Sequence, residues 1–216
     1  MHLLVTDRLS CPRCGPAFGL ILLADELRER RVLEGALGCA NCRERYPVEG
    51  GFGDLRPPPR SPLPAGPVPS VSEGRGNGPR DPAEDTFRLA ALLGVREGPG
   101  LLLLAGGWVA LAGRLAAMIH EIEVVALDPH LRASAEEAGV SRLTTGRTLP
   151  FFHASLRGVA LDGAQLVEWE EEAIRVLGPG ARLVVRDPPA DLPGRLEARG
   201  LQPLLQTGRY VVAQRG

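Results

Sequence analysis

The four cysteines of the chain fall as two C-x-x-C pairs, Cys11-Pro-Arg-Cys14 and Cys39-Ala-Asn-Cys42, and none lies outside that pattern. Each pair is a tight knuckle that places two sulfurs on one ion, and two knuckles complete a tetrahedron. Pro12 and Gly15 suit such turns. The spacing therefore predicts one structural zinc per chain, held by Cys11, Cys14, Cys39 and Cys42, with no open coordination position for substrate. A redox pair would need only one C-x-x-C, placed before a helix in an α/β unit. Disulfides suit an oxidising compartment, whereas "MHLLVTDRLS" has no apolar leader and the longest apolar run elsewhere is Leu101–Ala105. A cytoplasmic location and no membrane span are expected.

Residues 57–80 contain eight prolines and four glycines and almost no bulky apolar side chain. Such a stretch buries too little surface to offset its ordering entropy, so it reads as a linker. It separates a small module, 1–56, from a larger one, 81–216. Every basic residue is arginine. Residues 1–60 carry nine Arg against eight acids, and residues 81–216 carry fourteen against seventeen. Neither balance supplies the excess cation that binding many phosphates demands, so charge gives no nucleic-acid signal.

Between the knuckles, "FGLILLADELRERRVLEGALG" has apolar ends and a charged middle, which predicts a β-hairpin. With the flanking "CPRCG" and the following "CANCRERYPVEGGFGDLRP", residues 5–57 resemble the small zinc-binding proteins that serve as activator subunits of methyltransferases. "YPVEGG" is the most distinctive part, departing from the family's pattern at Glu49 and Phe52. The resemblance implies a zinc-ribbon fold and docking on a methyltransferase domain, here within one chain, with a further protein as a possible partner. It implies no chemistry.

The larger module alternates strand-like and helical runs, which predicts a mainly parallel sheet covered on both faces. "LLLLA", "IEVVALD", "SRLTT", "GVALDG" and "ARLVVRD" read as strands. "DTFRLAALLGV", "VALAGRLAAMIHE", "LRASAEEAG" and "AQLVEWEEEAIRVL" read as helices, the last closed by "GPG" as a glycine cap. "LEARGLQPLLQTGRYVVAQ" reads as a short helix and two strands. "TLPFFHASLRGVALDG" and "AIRVLGPGARLVVRDP" resemble stretches of the class I S-adenosylmethionine (SAM)-dependent methyltransferases. That resemblance implies a Rossmann-like fold, with the donor held by the glycine turn after the first strand and by an acid ending the second.

On that pattern Gly106, Gly107 and Asp128 are the candidate cofactor-binding residues. The departures are many. Leu103 stands in place of an acid, Ala105 and Val109 in place of glycines, and Trp108 in place of a small residue. Thr145 and Arg157 fall where acids are expected. Trp108 reads as core filler whose indole could occupy the pocket. His120, His130 and His153 are isolated and read as surface or cap residues, and "EWEEE" at 168–172 as a solvated helix face. No catalytic acid–base pair emerges, so no catalytic residue is assigned. Two readings follow: a binding or scaffold protein that has lost methyl transfer, or an active SAM-dependent methyltransferase with a divergent loop.

Overall fold

The structure, a computed structural model, describes residues 1–66 and 81–216. Residues 67–80, the latter part of the expected linker, lie outside the described residues. After a single helical turn, α1 (Leu3–Thr6), the N-terminal part is built from strands β1 (Ser10–Cys11), β2 (Gly15–Arg28), β3 (Arg31–Cys39), β4 (Arg45–Glu49) and β5 (Phe52–Leu55). The segment between the knuckles is the expected hairpin, with β2 antiparallel to β3. Gly50 and Gly51 of "YPVEGG", with φ of +54° and +75°, turn β4 into β5. Positive φ at both central residues is what a two-residue type I′ hairpin turn requires.

The larger part opens with α2 (Pro82–Leu93), capped by Asp81 at its start and by left-handed Gly94 at its end. Strand β6 (Gly100–Ala105) leads through a 3-10 helix (Gly106–Leu111) into α3 (Ala112–Met118). Then follow β7 (Ile122–Leu127), β8 (Val140–Thr145), β9 (Leu156–Asp162), α4 (Gly163–Val176) and β10 (Leu177–Arg186). Helix α5 (Leu192–Ala198), β11 (Leu201–Gln206) and β12 (Tyr210–Arg215) complete the chain. Helices α2 and α3 cover one face of the sheet around Leu89, Leu93 and Leu115, and α4 and α5 cover the other around Leu166, Val176 and Leu196.

Two expected features differ. "LRASAEEAG" forms only a 3-10 turn, Pro129–Ala133, and no second helix. Tertiary contacts override its helix propensity: Glu136 is drawn to Arg31 (2.7 Å), and the Ser134 carbonyl accepts from Arg142. Nor does "GPG" cap α4. The helix stops at Val176, Leu177 is already extended, and the glycines form a bulge between the Leu177–Leu156 and Arg182–Gly158 pairings.

One twelve-stranded sheet runs through both parts, in the order β1-β2-β3-β4-β5-β8-β7-β6-β9-β10-β12-β11. The seam is the parallel pairing of β5 with β8, from Phe52 opposite Arg142 to Leu55 opposite Thr145. Leu37, Tyr46 and Val48 share a core with Leu143, Phe151 and Leu103. Polar contacts fix the register. Arg31 Nη1 donates to the buried Glu123 carboxylate (3.2 Å), which also accepts from Ser141 Oγ (2.6 Å). Arg142, itself buried, donates to the Gly50 carbonyl across the seam.

Acid should loosen this seam. Burial alone would raise the Glu136 and Asp54 carboxyls, but hydrogen bonds from Arg31 and Arg56 hold both below the usual carboxylate range. The fold therefore prefers the ionised forms. Their stabilisation is complete above about pH 4–4.5, the unfolded values, and is lost as pH falls through the depressed folded values. Denaturation midpoints measured across that interval should drop, and Arg31→Gln should flatten the slope.

Candidate metal centre and cofactor crevice

Cys11 ends β1 and Cys39 ends β3, both buried, while Cys14 and Cys42 lie half-buried in the turns that follow. The residue after each second cysteine takes a left-handed conformation, Gly15 at φ +90° and Arg43 at φ +60°, which closes each knuckle. The four sulfurs lie within 4.8 Å of one another. Cys11 and Cys42 are 3.7 Å apart and Cys14 and Cys39 3.9 Å apart, too far for disulfides. A tetrahedral ion with metal–sulfur bonds of about 2.3 Å sets sulfurs about 3.8 Å apart, so the donor set fits a metal.

The surroundings prepare thiolates. Sulfurs accept from the Cys14 amide (3.4 Å, to Cys11) and from Asn41 Nδ2 (3.3 Å, to Cys14). Burial opposes ionisation of Cys11, yet contacts with the Tyr46 hydroxyl and with the Cys14 and Arg13 amides bring it down to about 7. Burial and the neighbouring thiols push Cys42 up to about 12. The sulfurs thus compete for negative charge, a competition that a shared cation removes.

At the carboxyl ends of the parallel strands the second candidate site takes shape. Gly106 and Gly107 follow β6 as expected, and Gly106 has φ +66°. A Cβ there would lie 2.5 Å from both Asp162 Oδ2 and Gln165 Oε1, so the space beside the turn is already filled. The Gly107 amide donates to Asp162 Oδ2 at 2.7 Å. Arg186 holds the same carboxylate through Nε (2.8 Å) and Nη2 (2.9 Å). Trp108 is buried, donates from Nε1 to the Leu161 carbonyl (3.1 Å) and lies beneath the Arg186 guanidinium, 4.7 Å from its ring centre. Core filler describes it well.

Asp128, at the end of β7, caps the following 3-10 turn: its Oδ1 accepts from the His130 amide and contacts His130 Nδ1, both at 2.8 Å. It lines a cavity of about 370 Å³ together with Leu127, Thr144, Thr145 and Trp169. Arg157 sits at the opposite end of the sheet, bonded to the Glu97 and Pro99 carbonyls, and takes no part in the crevice. His120 and His153 are exposed. The 168–172 face is more structured than a solvated one, since Glu170, Glu171 and Glu172 pair with Arg195, Arg199 and Arg175.

Asp162 and Arg186 were not among the expected site residues. A signal for Asp162 was present, because "VALD" occurs twice, its aspartate just after β7 and at the last position of β9. The same tetrapeptide delivers a carboxylate to the same end of the sheet twice.

In the order β8-β7-β6-β9-β10-β12-β11 every strand runs parallel except β12, and with helices on both faces this is a Rossmann-like doubly wound arrangement. It carries a β-rich N-terminal part with a four-cysteine cluster. No protein-family model matches the chain, and no curated protein matches it. Among solved structures it is similar to a chain of the complex between the Haloferax volcanii Trm112 methyltransferase activator and a methyltransferase. That match is 16% identical over 60% of this chain and 88% of the other, with a TM-score of 0.49. The tRNA (m1A58) methyltransferase TrmI of Aquifex aeolicus matches at 14% identity over 66% and 71%, with a TM-score of 0.44. Geranyl diphosphate methyltransferase, solved with SAM, matches at 15% over 62% and 85%, with a TM-score of 0.45. Among the described residues no helix is long and apolar enough to cross a membrane.

Proposed function

We propose that this chain joins a zinc ribbon, residues 1–56, through a linker, 57–80, to a methyltransferase-like domain, 81–216, that has lost methyl transfer and acts in binding or scaffolding. Cys11, Cys14, Cys39 and Cys42 hold one zinc, whose role is structural because all four positions are filled by protein. The Gly107 contact carries the functional half of the reading. A backbone N–H at the end of a parallel strand is the donor that a ligand's anionic group would use. Here the chain supplies its own carboxylate, Asp162, and locks it with Arg186. SAM does not fit this turn, where Asp162 and Gln165 already fill the space beside Gly106.

Calorimetry with SAM and with its demethylated product tests this directly. Losing three contacts of roughly 1–1.5 kcal/mol each weakens binding by two to three orders of magnitude, so a dissociation constant near 1 mM or weaker is expected. A value below about 50 μM, or roughly −6 kcal/mol, would overturn the reading. The runner-up, an active SAM-dependent methyltransferase with a divergent glycine loop, draws support from Asp128, which keeps a carboxylate beside the cavity of about 370 Å³.

A further inference from the structure

The cavity beside Asp128 has a wall that comes from the segment following β5. Arg56, Ser61, Pro62 and Pro64 face Asp128, Thr145 and Trp169 across it. Ser61 and Pro62 also line a second cavity, of about 270 Å³, with Phe52 and Arg132 on its far side. The segment from Arg56 to Pro64 therefore runs as a partition over the ends of β7 and β8. It has no regular secondary structure, so side chains must hold it there.

Two arginines do so. Arg56 forms a bidentate pair with Asp54 (2.8 and 2.7 Å) and donates from Nη1 to the Ser61 carbonyl (2.9 Å). Arg60 donates from Nε to the Arg56 carbonyl (2.6 Å), and from Nη2 to Glu44 Oε1 (3.1 Å) and to the Arg45 carbonyl (3.0 Å). Its guanidinium lies 5.3 Å from the centre of the buried Tyr46 ring. Leu63 packs on the core below. A planar fork that binds a carboxylate, two carbonyls and an aromatic face together is work lysine cannot do.

We propose that residues 56–64 form a strap that closes the Asp128 half of the crevice, with Arg60 as the latch fastening it to the β4 end of the ribbon. Access to Asp128 and Trp169 is then governed by the chain itself, independently of the Asp162 block at the glycine turn. This deepens the proposed function but fails separately from it: strap release is read at Trp169, turn blockage by SAM calorimetry.

The test uses the full chain. Trp108 is buried, so acrylamide quenching of fluorescence reports mainly on half-buried Trp169. Arg60→Ala should raise that quenching markedly while SAM affinity stays absent. Arg60→Lys keeps a trypsin site before Ser61 but loses the fork. Cleavage there, referred to the same bond in the urea-unfolded chain, should quicken on the order of tenfold, the loss of one charge-assisted hydrogen bond. Quenching unchanged in Arg60→Ala would overturn the strap. So would wild-type protection from trypsin in Arg60→Lys, a variant that also decides the matter should Arg60→Ala fail to fold.

Discussion

Replacing Cys39 by serine, or stripping the metal with a chelator, should unfold the chain from the ribbon inward. A structural zinc contributes an apparent 10 kcal/mol or more at neutral pH, as much as the whole stability of an ordinary domain, about 5–15 kcal/mol. On the sequence alone, a ribbon joined by a proline-rich linker would melt by itself and leave its neighbour intact. The shared sheet changes that expectation. Strand β5 is the outer partner of β8, and Leu37 and Tyr46 lie in the same core as Leu143 and Phe151. Unfolding the ribbon leaves β8 as a bare edge strand above an exposed core, a template for aggregation. Hydrogen exchange should show β2–β5 losing protection with β8, whereas β6, β9 and β10 stay protected longest. A Cys39→Ser protein that keeps one equivalent of metal and the wild-type melting temperature would refute the four-thiolate assignment.

Where the chain's own periodicity decides, the sequence was a good guide. The cysteine spacing predicted a cluster that the structure brings together, and the apolar runs marked each strand of the larger part, although β10 begins four residues earlier than read, at Leu177. The double-glycine turn after β4 had a signal in "EGG" that the sequence reading did not use. What stayed hidden depends on pairs distant in the chain. Glu136 belongs to a stretch with good helix propensity, and its pairing with Arg31, far away in sequence, together with the Arg142 contact to Ser134, explains why that stretch is not helical. The absence of lysine was obvious, but not the use of arginine: Arg31, Arg60 and Arg142 each hold several acceptors from different elements, and Arg186 grips both oxygens of Asp162. Composition tells that the forks exist, and the fold tells which carboxylates and carbonyls they meet. The glycine turn is the same case. Its substitutions suggested a lost pocket, yet the carboxylate that fills it lies fifty-five residues on.

That carboxylate makes the repair of the turn harder than its own sequence implies. Changing Trp108 to threonine and Val109 to glycine restores small residues beside the turn, but it removes a buried indole that fills core space under Arg186 and beside Tyr210. Deleting a buried aromatic of this size costs about 3–5 kcal/mol, and the hydrogen bond to the Leu161 carbonyl goes with it. At roughly 2–4 °C per kcal/mol for a chain this long, the melting temperature should fall by on the order of 10 °C. SAM affinity should not return, since Asp162 still occupies the Gly107 amide and Arg186 still holds Asp162 in place. Only when Asp162→Ala is added do Gly107 N–H and the Arg186 fork become free together, a pair suited to a ligand carboxylate. Calorimetry on the double and triple variants separates the causes. Binding in the triple variant alone identifies Asp162 as the obstacle, whereas a dissociation constant below about 50 μM, roughly −6 kcal/mol, in the double variant would show that bulk at Trp108 and Val109 was the whole of it.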